Sequence, residues 1–146
     1  MNYENIEILY VEDNQYDIEL TLRVFKKQNV ANKVHVVKDG EKALEFIFAT
    51  GEYEDRKIEH LPKFILLDLK LPKINGIEVL KQIKANEITK VIPVVMLTSS
   101  AEDVDKIESY KLGVNSYVVK PVDFEKMNKV ISDITIYWLE WNKSLA

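Results

Sequence analysis

Five side chains of complementary chemistry close short apolar runs in this chain. The acidic pair Glu12-Asp13 follows Ile6 to Val11, Asp68 follows Phe64 to Leu67, Thr98 follows Val94 to Leu97, and Lys120-Pro121 follows Tyr117 to Val119. If the runs lie side by side, three carboxylates, a hydroxyl and an ammonium converge on one edge. The carboxylates repel: two unit charges about 4 Å apart cost ~4 kcal/mol at an effective dielectric near 20. Such a cluster calls for a hard divalent cation, and Mg²⁺ suits it because it takes a few carboxylates while keeping waters and substrate oxygens in its shell. With a cation in place, a carboxylate can attack phosphorus as a nucleophile. Lys120 would supply a point charge and Thr98 a hydroxyl donor to the transferring oxygens, and phosphoryl transfer needs mainly such positioning and neutralisation.

The elements that would position these groups follow from periodicity. Short β-branched runs alternate with helical patterns. The strands are expected at Ile6 to Val11, Val34 to Val37, Phe64 to Leu67, Val94 to Leu97 and Tyr117 to Val119. The third is a near-continuous apolar run, as in a strand buried on both faces. Helices are expected over Asp17 to Gln28, from Asp39-Gly40 through Ile47, over Gly76 to Lys84, over Asp103 to Leu112 with a stop at Gly113, and from Asp123 to about Trp141. Five strands each followed by a helix make a (βα)5 chain. Right-handed crossovers then give an α/β, doubly wound parallel five-stranded sheet with both faces covered. In such sheets the site lies beyond the carboxyl ends of the strands, where the five side chains fall.

With these motifs in order, ILYVEDN (8–14), LLDLKLPKINGIEVL (66–80), VVMLTSSAE (94–102) and NSYVVKPVD (115–123), the chain resembles a response-regulator receiver domain of two-component phosphorelays over roughly residues 5 to 135. The resemblance implies a flavodoxin-like sheet of strand order 2-1-3-4-5. It implies that Asp68 is the phosphoacceptor, charged by a sensor histidine kinase, and that Asp13 ligates Mg²⁺ directly. Glu12 would act on the metal partly through water, and the Lys70 carbonyl would complete the metal site. Thr98 and Lys120 would bind the phosphoryl group, Thr98 and Tyr117 would form a switch, and the Lys120–Pro121 bond would be cis. The Gly51-Glu52-Tyr53-Glu54 insert and the Tyr137-Trp138-Leu139-Glu140 tail are similar to those of single-domain regulators that serve phytochrome-type kinases. Asn75-Gly76 stands where Asp-Gly is frequent in the family, a change expected to affect only a turn.

Taken singly, these residues admit plainer roles. Glu12-Asp13 could be a solvated acidic turn, Asp68 a turn residue or helix cap, Thr98 the start of a capping loop, and Lys120 a strand-end lysine with its stem on apolar surface. His35, inside the second strand, and His60 have no further His or Cys at ligand spacing and are expected to be structural or solvated; Asp39 is expected to cap the second helix. Two other functions share parts of the pattern. A metal-dependent phosphatase with an aspartyl nucleophile usually carries an acid two residues later, where this chain has Lys70. A flavin-binding module would need a Ser/Thr/Gly loop after the first strand, where this chain has Glu-Asp-Asn-Gln-Tyr.

Composition bounds the rest. The 146 residues, 47% apolar and 30% charged, suit one domain, expected to span 1–146 with an extended C-terminal helix. A net charge of −4 with dispersed Lys and Arg argues against a nucleic-acid surface. There is no cysteine, hence no disulfide framework. No leader precedes the first apolar run, and no run is long enough to span a bilayer, so a cytoplasmic protein is expected. Little chain follows the last helix, so output is expected through protein contact, further phosphotransfer or dimerisation. On that helix Met127, Val130, Ile131, Ile134, Trp138 and Trp141 fall on one stripe, the expected core face. Ile136 and Leu139 fall off it, which points to a partner surface and a homodimer.

Overall fold

The computed structural model describes residues 2–146; Met1, where the expected domain begins, lies outside them. The strands are β1 (Ile8–Val11), β2 (Val34–Val37), β3 (Phe64–Leu67), β4 (Val94–Thr98) and β5 (Ser116–Val119). They pair in parallel in the order β2-β1-β3-β4-β5, the expected topology. The helices are α1 (Gln15–Lys27), α2 (Gly40–Phe48), α3 (Gly76–Ala85), α4 (Asp103–Lys111) and α5 (Phe124–Thr135). β1 starts two residues later than its apolar run suggests, because the Ile6 N–H turns back to the Tyr3 carbonyl.

Alternation along the strands divides the core. Leu9 and Val11 of β1 face one layer, which α2 and α3 cover with Phe46, Ile47, Val79 and Ile83. Ile8 and Tyr10 face the other, covered by α1 and α5 with Val24, Phe25, Met127 and Ile131. β3 and β4 are buried along their whole length, as their unbroken apolar runs require. α4 is different: only Ser109 of its residues is buried, and Val104, Ile107 and Tyr110 are exposed.

Asp39 caps α2 as expected, its carboxylate accepting from the Lys42 N–H at 2.7 Å. The Gly51–Tyr53 insert forms a 3₁₀ turn that folds Tyr53 over the sheet edge. There the His35 ring stacks on Phe46 at 4.9 Å, and its Nε2 lies 2.9 Å from the Tyr53 hydroxyl. The Arg56 guanidinium lies over the Phe46 ring, 4.0 Å from its centroid. His35 is therefore structural.

The last helix departs from expectation. After Thr135 it widens into a π-helical segment, Ile136–Trp141, with the Asn142 N–H reaching the Tyr137 carbonyl five residues back. A wider turn breaks the 3.6-residue phase on which the expected stripe depended. Leu139, expected outside the core stripe, is only 8% exposed and packs with Ile131 and Ile134, while Trp141, expected within it, is 72% exposed. The dimer surface expected at Ile136 and Leu139 thus loses Leu139; Ile136 remains exposed.

Two expectations follow. Leu139→Ala should lower unfolding free energy by about 2–5 kcal/mol, the range for a truncated core leucine, and Trp141→Ala by less than about 0.5 kcal/mol; urea melts of both variants decide the assignment. Burial, then the Arg56 charge, holds the His35 imidazole below its ordinary range, with Glu52 pulling the other way. The folded state thus binds fewer protons at this site than the unfolded chain. His35 contributes stability that is present above about pH 6.5 and is lost as pH falls through its folded-state pKa. An NMR titration of the His35 ring should give a midpoint below 6.5, and a midpoint at or above that value would contradict the packing described.

Candidate functional site

The sheet's hydrogen-bond ladder places the acidic groups. Val11 of β1 is paired with Val37 and with Leu67. The next residues continue the ladder: the Glu12 N–H donates to the Val37 carbonyl and the Asp68 N–H to the Val11 carbonyl, both at 3.1 Å. Glu12 and Asp68 therefore emerge side by side at the carboxyl edge. On the far side of Asp68, β4 brings up Thr98, whose carbonyl accepts the Lys120 N–H at 2.7 Å. The five residues picked from the sequence are assembled at one edge.

Lys120 closes the cluster. Its Nζ lies 2.6 Å from Glu12 Oε1, 2.8 Å from Asp17 Oδ2 and 3.2 Å from Asp68 Oδ2. Burial works against the ammonium, but the hydrogen bonds to Asp17 and Glu12 and the charges of Glu12 and Asp68 prevail and hold it protonated well above the ordinary lysine range. Glu12 is buried and also accepts the Asn14 N–H at 3.2 Å. Its burial, then the charge on Asp68, pushes its carboxyl up to about 7 against the pull of Lys120. One ammonium thus leaves the cluster short of positive charge. Oxygens of Glu12, Asp13 and Asp68 lie within 4.8 Å of one another, and Asp13 is exposed to solvent. This oxygen-only set with an open side fits a divalent cation that keeps part of its hydration shell.

The loops around the cluster are held by backbone contacts. Asp68 Oδ1 accepts the Leu69 N–H at 2.7 Å. Gly76 comes so close that a Cβ there would stand 2.2 Å from the Asp68 carbonyl oxygen, so this glycine brings the loop after β3 against the acid. Sequence reading treated Asn75-Gly76 as a turn variant. Asn75 does no more than cap α3, accepting from the Glu78 N–H at 2.9 Å, but Gly76 bears on the site. Lys70 lies exposed in the same loop.

Thr98 is fully buried, and its Oγ1 accepts the Ser100 N–H at 3.3 Å. Tyr117 is half-buried against the core and donates its hydroxyl to the Ser100 carbonyl at 2.9 Å. Ser100 Oγ in turn donates to Asp105 of α4 at 2.5 Å. Asp17 and Asp105 were not singled out from the sequence. One expectation is corrected: the Lys120–Pro121 bond is trans, as are all peptide bonds among the described residues. Trans is favoured at X–Pro bonds by about 0.5–1 kcal/mol, and the adjoining Val122 is fully exposed, so no packing there opposes it.

The chain is similar to known proteins over most of its length. The family model for the response regulator receiver domain matches residues 8–132. Response regulator Rcp1 of Synechocystis is 41% identical over 133 residues, covering 91% of this chain and 88% of that protein. Its Mn²⁺-bound crystal structure superposes with a TM-score of 0.88, at 40% identity, over 95% of this chain and 98% of that one. The phosphorylated cyanobacterial phytochrome response regulator RcpA also gives 0.88, at 34% identity, covering 97% and 99%. The probable methanogenesis regulatory protein FilR2 of Methanothrix harundinacea is 40% identical over 137 residues, covering 94% of this chain and 86% of that protein. Among the described residues, no helix is long and apolar enough to cross a membrane.

A cation that binds only the folded cluster stabilises the fold by mass action, by about 2.7 kcal/mol at a hundred times its dissociation constant. Thermal melts should therefore rise with added Mg²⁺ or Mn²⁺. Asp13→Ala should abolish the rise while still folding, since Asp13 is the exposed member of the set. An undiminished rise in Asp13→Ala would move the metal elsewhere.

Proposed function

As the chain belongs to the response regulator receiver domain family, we propose that it accepts a phosphoryl group on Asp68 from a sensor histidine kinase. The observation that carries the reading is the Lys120 ammonium, 3.2 Å from one oxygen of Asp68 in a cluster that also fits a divalent cation. An Asp68 carboxylate oxygen attacks phosphorus, the bond from phosphorus to the donor's imidazole nitrogen breaks, and the electron pair returns to the ring. Lys120 moves its donor from the carboxylate to a phosphoryl oxygen, and the Thr98 hydroxyl donates to another. Mg²⁺, held by Glu12, Asp13, Asp68 and the Lys70 carbonyl, would neutralise charge on the transferring oxygens. Hydrolysis of the acyl phosphate by water returns Asp68.

Partners follow from the same reading. The similarity to RcpA, a phytochrome response regulator, supports a phytochrome-type kinase as donor; the cytoplasm is the compartment this reading assigns. Dimerisation with a second copy is supported by the exposed Val104, Ile107 and Tyr110 of α4 rather than by Leu139. Thr98 and Tyr117 act as the switch: a Thr98 hydroxyl turned toward a phosphoryl oxygen gives up its contact with Ser100, and Ser100 carries the change to Tyr117 and α4. Residues 1–146 then work as a receiver unit that signals by contact. The phosphatase alternative is disfavoured because the exposed Lys70 stands where such an enzyme places an acid.

Acetyl phosphate with Mg²⁺ should label the wild type as an acyl phosphate at one residue, read by mass spectrometry after borohydride reduction. Asp68→Asn should take no label. Equal labelling of that variant would assign the phosphoryl group to another residue.

A further inference from the structure

We propose that Asp17 is a positioning residue for the phosphotransfer reaction, holding the Lys120 ammonium in place while the other two carboxylates are drawn to the metal and the phosphoryl group. The inference rests on the receiver reading above and concerns a residue that none of the sequence motifs contains.

An ammonium has three N–H donors, and Lys120 has three carboxylates within reach. The contacts lengthen from Glu12 at 2.6 Å through Asp17 at 2.8 Å to Asp68 at 3.2 Å. The last is the one exchanged for a phosphoryl oxygen when Asp68 is modified. Glu12 belongs to the set that fits a divalent cation, together with Asp13 and Asp68, so its charge is shared with the metal once one binds. Asp17 is outside that set. It is the partner whose charge stays with Lys120 from the free protein through to the phosphorylated one. Without it, a divalent cation at the cluster would repel the ammonium with less to hold it near Asp68.

The carboxylate of Asp17 is also well seated for this task. Asn14 caps α1 by accepting the Asp17 N–H at 3.0 Å. The single proton of the Tyr10 hydroxyl is shared between Thr21 Oγ1 at 3.1 Å and the Asp17 carbonyl at 3.4 Å. Tyr10 is 1% exposed, so it is a rigid support from the core. The residue's backbone is thus held at its N–H by Asn14 and met at its carbonyl by the Tyr10 hydroxyl. Its side chain, in the first turn of α1, is also where a negative charge is favoured by the helix dipole.

The test uses the full chain with Mg²⁺ and acetyl phosphate as probe, comparing the wild type, Asp17→Ala, Asp17→Asn, Lys120→Ala and the double variant Asp17→Ala/Lys120→Ala. A catalytic group displaced by about 1 Å can cost up to about 100-fold in rate. For a loosened ammonium, Asp17→Ala should slow labelling of Asp68 by about 10-fold. Asp17→Asn keeps an acceptor for the ammonium and should recover part of that loss. In the Lys120→Ala background, with residual labelling followed over hours, removing Asp17 should change the rate less than about twofold, because the two residues act as one unit. Beryllofluoride affinity, a binding readout that needs no turnover, should weaken in the same order. Should Asp17→Ala fold poorly by its melt, Asp17→Asn carries the comparison. Wild-type rates in both Asp17 variants, or the same slowing with and without Lys120, would overturn the assignment. A wild type that takes no label, or takes it away from Asp68, would instead bring down the receiver reading itself.

Discussion

The arrangement depends on one cation among several anions. Glu12, Asp17 and Asp68 all lie within 3.2 Å of the Lys120 ammonium. Glu12 and Asp68 are buried, and taking charges out of water costs several kcal/mol per ion unless they are closely paired. The fold cannot relax this cost by moving the groups apart, because the ladder that pairs β1 with β2 and β3 also sets where Glu12 and Asp68 emerge. Lys120 is held just as firmly through its backbone bond to Thr98. What remains is electrostatic compensation. Lys120 supplies part of it, while burial and then the charge on Asp68 still push the Glu12 carboxyl up. Three carboxylates share one ammonium, a deficit of positive charge that a divalent ion would offset and an incoming phosphoryl group would deepen.

That constraint accounts for the loops. A cluster of fixed charges needs neighbours that donate hydrogen bonds without adding bulk. Backbone N–H groups do this at Leu69 for Asp68 and at Asn14 for Glu12. Gly76 belongs to the same economy of space. With the Asp68 carbonyl oxygen 2.2 Å from where a Cβ would stand, any side chain at that position would push the loop away from the acid. The glycine is needed for close approach, and its place at the start of α3 couples the helix to the site.

The five parallel strands, the five helices and the convergence of Glu12, Asp13, Asp68, Thr98 and Lys120 were legible because each depends on local pattern and on the handedness of parallel crossovers, whereas the strand order rested on the family resemblance. Asp17 was not legible, for a geometric reason. Periodicity starts the first helix at Asp17 and gives its carboxylate no role. In the structure Asn14 takes the cap and α1 begins at Gln15, so Asp17 lies inside the first turn and reaches Lys120, 103 positions along the chain. A shift of two residues at a helix start is small in the sequence and decisive in space. Leu139 and Trp141 exchanged places for a related reason: the hydrophobic stripe assumed one helical period to the end, and the turn widened after Thr135. The trans bond at Pro121 shows the limit of carrying a backbone detail across by resemblance.

Under the proposed reading, the same logic gives chemistry at the strand ends a route to the surface. Thr98 is fully buried, and its hydroxyl accepts the Ser100 N–H. Ser100 is joined through its carbonyl to Tyr117 of β5 and through its hydroxyl to Asp105 of α4. With the Glu102 N–H donating to the same hydroxyl at 3.4 Å, four contacts therefore meet on one loop residue, and a change in any of them alters the geometry available to the others. α4 is the element least able to resist, since only Ser109 anchors it among buried side chains and its larger apolar residues already face solvent. Elements with few buried contacts open at low free-energy cost. A displacement of Ser100 is thus more easily absorbed by α4 than by β4 or β5, which are tied into the sheet along their length. The site's rigidity and α4's weak anchoring are complementary: the charges are held still, and the helix beside them is left free to respond.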